Sequence, residues 1–155
     1  MSKSGNTTQL ILWRHADAEV GLADSSRQLT SRGRKQAARI AQWLNTRLPA
    51  DYRLIASPAV RAQQTSRALT AKFLTSPDLA VDASAKGILS SIDWPDCGGT
   101  TLIVGHQPSL GRLAALLLSG REAPWSIRKS AVWWLWQREH ENSVSIRTIV
   151  DPDLV

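Results

Sequence analysis

The chain has 155 residues, with 19 Lys and Arg against 13 Asp and Glu, and its formal net charge is +6. This length is that of one domain with a buried core, so we expect a single domain over residues 1–155, with residues 1–8 as a flexible N-terminus. The basic excess favours an anionic partner such as a phosphate, a nucleic acid or an acidic protein. Because Lys and Arg are scattered and the chain has one Tyr and one Phe, nucleic-acid binding is disfavoured.

The cysteine content and the N-terminal sequence indicate the cellular location of the protein. Cys97 is the single cysteine, which excludes an intramolecular disulfide and a multi-cysteine zinc site and suits a reducing compartment. The polar N-terminus lacks the apolar core of a signal peptide, and no apolar run approaches the roughly 20 residues of a spanning helix. We therefore expect a soluble, cytoplasmic protein without a membrane partner.

The first half of the chain alternates strand-like and helix-like segments. Residues 9–13, QLILW, predict a buried strand, and a polar loop follows at residues 21–28. A helix is predicted to begin near Thr30, an N-cap candidate, and to run to residue 48, since Pro49 acts as a stop.

The next predicted pair follows the same order. Residues 52–57 predict a second buried strand. Ser57 and Pro58 are typical of a cap and first helical turn, so a helix is expected to continue to residue 74.

Residues 75–100 are rich in Ser, Asp, Gly and Pro, and we expect a short strand at residues 79–81 and a short helix at residues 86–92. Residues 100–106 then predict a third strand that ends on a histidine. The following segment, residues 107–120, predicts a helix that Gly120 terminates.

The tail of the chain predicts two extended segments, residues 130–138 and 142–150, most simply an antiparallel pair at the sheet edge. Along the first of them Trp134 and Trp136 share one strand face, and Trp133 lies on the other. An exposed tryptophan here would suit a dimer or docking surface, and the sequence leaves both this role and the oligomeric state open. The whole alternation predicts an α/β fold with a mostly parallel sheet covered by helices.

Basic side chains stand where the predicted strands end. Arg14 and His15 follow the first strand, Arg61 follows the second, and His106 ends the third. Carboxyl ends of parallel strands line the crevice in which ligands bind, so these four side chains are expected to converge. Two arginines and two histidines repel one another away from water unless an anion neutralises them, and a dianionic phosphoryl group suits them.

Such a pocket supports phosphoryl transfer. Neutral imidazole is a competent nucleophile, so His15 would take the phosphoryl group in line and water would then hydrolyse the phosphohistidine. Arg14 and Arg61 offer rigid forks of donors that match phosphate oxygens, and a protonated His106 would add another donor.

Three segments resemble the motifs of the histidine phosphatase superfamily: LILWRHADAE, SPAVRAQQT and TLIVGHQPSLG. The short chain and the segment RQLTSRG near Arg27 are similar to the small SixA-type phosphohistidine phosphatases. The resemblance implies that His15 is the nucleophile and that Arg14, Arg61 and His106 form the phosphate pocket. It also implies a phosphoglycerate mutase-like three-layer α/β/α sandwich with an antiparallel C-terminal strand pair, without a cap domain, a metal or a cofactor.

Two departures from the superfamily pattern matter. Ala16 stands where glycine is usual, so we expect a backbone conformation there that tolerates a β-carbon. Residues 65–105 contain no Glu, although other branches often carry a glutamate acid in this region. An alkoxide leaving group needs a proton from an acid, whereas imidazole can already be protonated near neutral pH, so P–N cleavage is favoured over P–O cleavage.

Three polar residues that follow His15 in the sequence are candidates for binding the substrate. Asp17 or Glu19 would serve as the general acid if the reaction uses one. Each could equally be a carboxylate of the loop that pairs with an arginine. Arg27 fits equally a salt bridge at the entry to the helix or a contact to the substrate.

The favoured function is hydrolysis of phosphohistidine on a partner protein. One alternative is a phosphomonoesterase for a small phosphorylated metabolite, and the other is a phosphate-binding module that does not turn over.

Overall fold

The computed structural model describes residues 7–139 and 141–155, so most of the N-terminal segment expected to be flexible lies outside the described residues. The strands are β1 (Thr7–Arg14), β2 (Arg53–Ala56), β3 (Leu74–Thr75), β4 (Thr100–Gly105), β5 (Val132–Arg138) and β6 (Ser145–Val150). The helices are α1 (Ser31–Asn45), α2 (Val60–Leu69), α3 (Ala85–Ile92) and α4 (Ser109–Ser119). Since β1 begins at Thr7, it starts two residues before the predicted strand.

One six-stranded sheet organises the described residues, in the order β3-β2-β4-β1-β5-β6. Strands β3, β2, β4 and β1 are parallel, whereas β5 runs antiparallel to both β1 and β6. The mostly parallel sheet and the antiparallel C-terminal pair are therefore confirmed. Arg14 pairs with Gly105 in register, which brings the ends of β1 and β4 to the same edge.

Alternate residues of β1 supply two separate cores. Ile11 and Trp13 pack with the buried faces of α1 and α2, and Leu10 and Leu12 pack with those of α3 and α4. Because side chains alternate along a strand, one apolar run serves both faces. The result is the three-layer α/β/α sandwich that the motifs imply.

Helix α1 begins as its sequence predicts. The Thr30 side chain accepts a hydrogen bond of 2.9 Å from the backbone N–H of Gly33, so Thr30 is the N-cap. Gly33 lies so close to the preceding loop that an added β-carbon would stand 2.0 Å from the carbonyl oxygen of Asp17. The helix ends at Asn45, three residues before the predicted end.

The region between β2 and β4 differs from the prediction. Helix α2 starts at Val60 and ends at Leu69, so it is shorter than the predicted helix to residue 74. The chain then turns, and Leu74–Thr75 pairs with β2 as the edge strand. Residues 79–81 are not a strand; Pro77–Leu79 is a 3-10 helix capped by Ser76, whose side chain accepts from the N–H of Asp78. Local capping thus outweighs the β-propensity of a short apolar run.

The remaining helices agree with the sequence. Helix α3 covers the predicted segment and is capped by Ser84. Helix α4 ends at Ser119 and is capped by Gly120, whose φ of 87° lies in the left-handed region that glycine adopts without strain.

The predicted division of the tryptophans in β5 is confirmed. Trp134 belongs to the core on the α1 side, while Trp133 packs against the core on the α4 side. Trp136 shares the face of Trp134, and the guanidinium of Arg147 lies 5.1 Å from the Trp134 ring and 5.0 Å from the Trp136 ring. Across residues 7–139 and 141–155, no helix is long and apolar enough to cross a membrane.

Candidate active site

The end of β1 is held by hydrogen bonds from its neighbours on both sides. The N–H of His15 donates to the carbonyl of Gly105 (3.0 Å), and the N–H of Ser130 donates to the carbonyls of both Arg14 and His15 (3.1 Å each). Ser130 has a φ of 60°, which is rare for a residue with a side chain. Its Oγ accepts from Trp13 Nε1 at 3.2 Å, so this buried turn fixes the backbone that carries His15.

The structure brings His15, Arg61 and His106 together at this edge of the sheet. The two imidazole rings lie 5.1 Å apart between centroids, and Arg61 Nε donates to His15 Nε2 at 3.3 Å. All three residues are buried, with exposures of 6%, 2% and 2%. Arg61 reaches the site from the first turn of α2, and His106 directly follows β4. The predicted convergence is therefore present in the fold.

Hydrogen bonds define the tautomer of His15. Its Nδ1 lies 2.8 Å from the carbonyl oxygen of Ala16, and since a carbonyl only accepts, Nδ1 carries the proton. Burial lowers the pKa of His15 to about 3, aided by the positive charges around it. The ring is therefore neutral at pH 7, and Nε2 presents a lone pair to the interior of the pocket.

The second histidine, His106, is oriented by Ser57, a residue that the sequence predicts as a helix cap. His106 Nδ1 faces Arg61 Nη2 at 3.4 Å and so accepts from it, which leaves the Nε2–H to donate to Ser57 Oγ at 2.7 Å. Burial, followed by the charge of Arg61, lowers the pKa of His106 to about 4. Ser57 is not the N-cap of α2 as predicted, because the cap is Ala59 and the Ser57 hydroxyl is engaged with the histidine.

Arg14 adds a second cation beside this group. Its Nη1 donates to the carbonyl of Ile127 at 3.0 Å, and its buried Nε has no hydrogen-bond partner among the described residues. Burial and the charge of Arg61 lower the pKa of Arg14. A buried donor without an acceptor costs about 1–3 kcal/mol, so an anion that accepts from it would be stabilised here.

Ala16 fits its position without strain. Among the described residues with a side chain, only Asp93 and Ser130 have positive φ, so Ala16 adopts an ordinary backbone conformation, as expected. Its N–H donates to Thr65 Oγ1 at 3.0 Å, and the residue is fully buried.

Asp24 is a neighbour of the site that the motif reasoning missed. It belongs to a short 3-10 helix, Asp24–Ser26, in the loop after β1. Arg61 Nη1 donates to its carbonyl oxygen at 2.7 Å and Arg61 Nη2 to its Oδ2 at 3.1 Å. Its hydrogen bond with Arg61 lowers the pKa of Asp24. The sequence feature that could have indicated Asp24 is its position three residues before Arg27, where an acid can pair with an arginine.

Arg27 forms a salt bridge with Asp24, and its predicted contact with the substrate stays a prediction. Its Nε and Nη2 donate to Asp24 Oδ1 at 3.2 and 3.1 Å, and its Nη1 donates to the carbonyl of Glu19 at 3.1 Å. Glu19 itself is exposed in this loop. Both residues line a groove of about 550 Å³ together with Val20 and Leu22.

Asp17 lines a cavity with Arg14 and is held by Lys129 and Thr30. Its carboxylate accepts from Lys129 Nζ at 2.8 Å and from Thr30 Oγ1 at 2.7 Å, and these hydrogen bonds lower its pKa. It lines a separate cavity of about 310 Å³ that Arg14 also borders. Asp17 is thus an ionised carboxylate in a structural ion pair.

The donor set of the site suits a tetrahedral anion. The charges of Arg14, Arg61 and His106 all act on His15, and no cluster of three or more metal-binding side chains occurs in the described part of the chain. Rigid arginine donors match phosphoryl oxygens, and the unprotonated Nε2 of His15 carries a lone pair beside Arg61.

Comparison with known proteins identifies the family. The model of the histidine phosphatase superfamily (branch 1) matches residues 10–84, which include Arg14, His15 and Arg61. An uncharacterized protein of Mycobacterium tuberculosis is 33% identical over 119 residues, or 71% of this chain and 73% of that protein. The chain belongs to the histidine phosphatase superfamily.

Within this superfamily the chain is similar to SixA proteins. Phosphohistidine phosphatase SixA of Escherichia coli is 28% identical over 131 residues, which are 75% of this chain and 78% of that protein. A solved structure of the protein histidine phosphatase SixA with tungstate has a TM-score of 0.81 and 24% identity, covering 94% of this chain and 98% of its own. The fold is thus that of SixA, and superfamily membership supports phosphatase activity.

Proposed function

We propose that this protein is a phosphatase that hydrolyses phosphohistidine on a partner protein through a covalent phospho-His15 intermediate, without a metal or cofactor. The observation that carries the proposal is the neutral imidazole of His15, whose Nε2 lone pair faces Arg61 in a buried pocket. Such a nitrogen attacks phosphorus without first losing a proton.

In the first step the lone pair of His15 Nε2 forms a bond to the phosphorus atom. The P–N bond of the substrate breaks in line, and its electron pair stays on the departing imidazole nitrogen. Arg14 and Arg61 hold the phosphoryl oxygens, and their two positive charges offset the dianion in a site from which water is largely excluded.

In the second step a water oxygen attacks phosphorus and the bond to His15 Nε2 breaks. Its electron pair returns to the imidazole, and inorganic phosphate leaves with the oxygen that the water supplied. His106 assists the bound state, because a dianion beside it favours the charged ring and raises its pKa from the lowered value of about 4. The protonated Nδ1 then donates to a phosphoryl oxygen.

The charge state of nearby carboxylates favours a nitrogen leaving group. The carboxyl groups of Asp17 and Asp24 have lowered pKa values, by Lys129 and by Arg61 respectively, so both are ionised at pH 7 and hold no proton to donate. An alkoxide leaves poorly without such a proton, whereas the departing imidazole is protonated by solvent near its ordinary pKa. Cleavage of P–N bonds is therefore easier in this pocket than cleavage of P–O bonds.

The partner is a protein that carries phosphohistidine, and the net charge of +6 favours one with an acidic surface. A cytoplasmic location agrees with the free thiol of Cys97.

The test compares phosphate release from a phosphohistidine peptide and a phosphoserine peptide by the wild type and by His15→Ala. We expect rapid release from phosphohistidine only, and its loss in the variant. Rapid quenching in alkali, in which phosphohistidine is stable, is expected to trap one phosphoryl group on the wild type and none on the variant.

Tungstate binding by calorimetry serves as the control, since His15→Ala retains both arginines and should still bind the anion. Equal release from both peptides would favour the metabolite phosphomonoesterase. Tungstate binding without release from either peptide would favour a phosphate-binding module. Release that persists in His15→Ala would contradict the proposed nucleophile.

A further inference from the structure

The guanidinium of Arg61 has two edges that face different neighbours. On its inner edge Nε donates to His15 Nε2 at 3.3 Å, and Nη2 faces His106 Nδ1 at 3.4 Å. On its outer edge Nη1 donates to the Asp24 carbonyl at 2.7 Å, and the second hydrogen of Nη2 reaches Asp24 Oδ2 at 3.1 Å. Asp24 therefore holds the side of Arg61 that points away from the two histidines.

Asp24 is itself fixed by the loop. Its Oδ1 accepts two hydrogen bonds from Arg27, at 3.2 Å from Nε and 3.1 Å from Nη2. Arg27 is anchored in turn through Nη1 on the carbonyl of Glu19 at 3.1 Å. The carboxylate of Asp24 thus bridges two arginines, one in the loop and one in the pocket.

We propose that Asp24 is a positioning residue for phosphoryl transfer at His15: it holds the outer edge of Arg61 so that Nε–H and the inner Nη2–H face the phosphoryl group. This inference rests on the proposed function of the pocket. A guanidinium on a long side chain can adopt many orientations, and restricting them costs conformational entropy. Because Asp24 already fixes the orientation, this entropy cost is not added to the activation free energy. Arg61 then acts on the substrate, and Asp24 acts through Arg61.

The opposite role, in which Asp24 competes with the phosphoryl group for Arg61, fits the contacts less well. Its carboxylate occupies the outer edge and leaves both inner hydrogens to the histidine nitrogens. The Asp24 side chain is 56% exposed, whereas that of Arg61 is 3% exposed, so water screens the repulsion between the carboxylate and a bound dianion. Orientation of the buried cation is therefore the larger effect.

The test measures kcat and KM on the phosphohistidine peptide, and tungstate affinity by calorimetry, for Asp24→Asn and Asp24→Ala. Positioning predicts that kcat and tungstate affinity fall in the order Asp, Asn, Ala, with about a tenfold loss of kcat for alanine, which corresponds to one charge-assisted hydrogen bond. The asparagine variant retains an acceptor oxygen at the same place and should recover part of the loss. A KM that changes less than kcat would place the effect on the transition state.

Two further variants make the result specific. Arg27→Gln removes the anchor of Asp24 but leaves Arg61 untouched, so it should shift kcat in the same direction by a smaller factor. Asp78→Asn makes the same chemical change at an exposed carboxylate of the 3-10 helix Pro77–Leu79, whose Oδ2 faces the hydroxyl of Ser76 instead of an arginine, and should leave both measurements unchanged.

The outcomes separate this proposal from the proposed function. Tighter tungstate binding in Asp24→Ala, or kcat and affinity equal to the wild type in both variants, would overturn the positioning role. If the wild type binds tungstate but hydrolyses neither peptide, the proposed function fails, and the order of tungstate affinities among the variants still decides the role of Asp24.

Discussion

The pocket at the carboxyl ends of β1 and β4 and the loop at residues 19–28 meet at Arg61, but they are built differently. The pocket residues His15, Arg61 and His106 are at most 6% exposed, and both flanking strands are hydrogen-bonded on either side. In the loop Val20 and Leu22 are fully exposed, and Asp24 and Arg27 provide its polar link to the pocket. The comparison shows that the buried strand ends bring the cations together, while the exposed loop supplies the charge of opposite sign that pairs with one of them.

The largest expected difference between the two regions is in the loss of kcat when an arginine of each is replaced by lysine. Arg61→Lys keeps the charge but loses the planar fork, so we expect kcat on the phosphohistidine peptide to fall roughly a hundred- to a thousandfold. Arg27→Lys in the loop should cost less than about tenfold, because it acts only through Asp24. Steady-state kinetics of the two variants checks this, and equal losses would contradict the division into pocket and loop.

A matched pair of glycines compares the stability of the loop with that of the start of helix α1. Gly33→Ala would place a β-carbon 2.0 Å from the backbone oxygen of Asp17, so we expect a loss of about 1–3 kcal/mol in the free energy of unfolding. At Gly21, in the loop, the nearest atom to an added β-carbon is the flexible Arg27 Cγ at 3.4 Å, and alanine should change stability by less than about 0.5 kcal/mol. Urea unfolding of both variants measures the difference, which should vanish if the loop packs as tightly as the helix.

The buried histidines predict a pH dependence of stability. Their pKa values fall from 6.5 to about 3 for His15 and about 4 for His106, so below pH 6.5 the unfolded chain binds protons that the folded chain does not. The free energy of unfolding should therefore decrease as pH falls from about 6.5 to 4.5, by up to about 1.4 kcal/mol per pH unit for each histidine.

Unfolding in urea at several pH values, with the double variant His15→Gln/His106→Gln, checks this prediction. The variant should have a flatter profile between pH 6.5 and 4.5. The carboxylates of Asp17 and Asp24 also have lowered pKa values, but their contribution is lost only as pH falls below the ordinary value of 3.8. An unchanged slope in the double variant would show that other groups carry the effect.

The smallest effect is expected at the tip of the loop. Leu22→Ser removes an exposed side chain that has no part in the core. The activation free energy derived from kcat and the free energy of unfolding should therefore each stay within about 0.5 kcal/mol of the wild type. A larger change in KM alone, measured with the phosphohistidine peptide, would show that the loop contacts the substrate.

The parts that the sequence predicted well are those governed by local patterns. The apolar runs of β1 and β4 and the N-cap at Thr30 were recognisable because periodicity and capping act over a few neighbouring residues. Of the four basic side chains predicted to converge, the structure brings His15, Arg61 and His106 into contact and leaves Arg14 beside them, since parallel strands bring their carboxyl ends to one edge.

The missed features depend on contacts between distant segments. Ser57 was interpreted as a helix cap, but it accepts from His106, which lies 49 residues later. Ser130 holds the end of β1 from the far end of the chain, and nothing in its local sequence indicates this role. Strand β3 is only two residues long, so it has no pattern of its own and exists through its pairing with β2.

The sequence by itself determined the order of strands and helices, the excess of positive charge, and which basic residues end which strands, because these depend on residue type and near neighbours. Only the tertiary structure decided the contact of Arg61 with His15, the partner of His106, and the placement of Asp24 on the outer edge of Arg61. These depend on distances of about 3 Å between segments far apart in the chain, where burial strengthens each hydrogen bond and directs each lone pair.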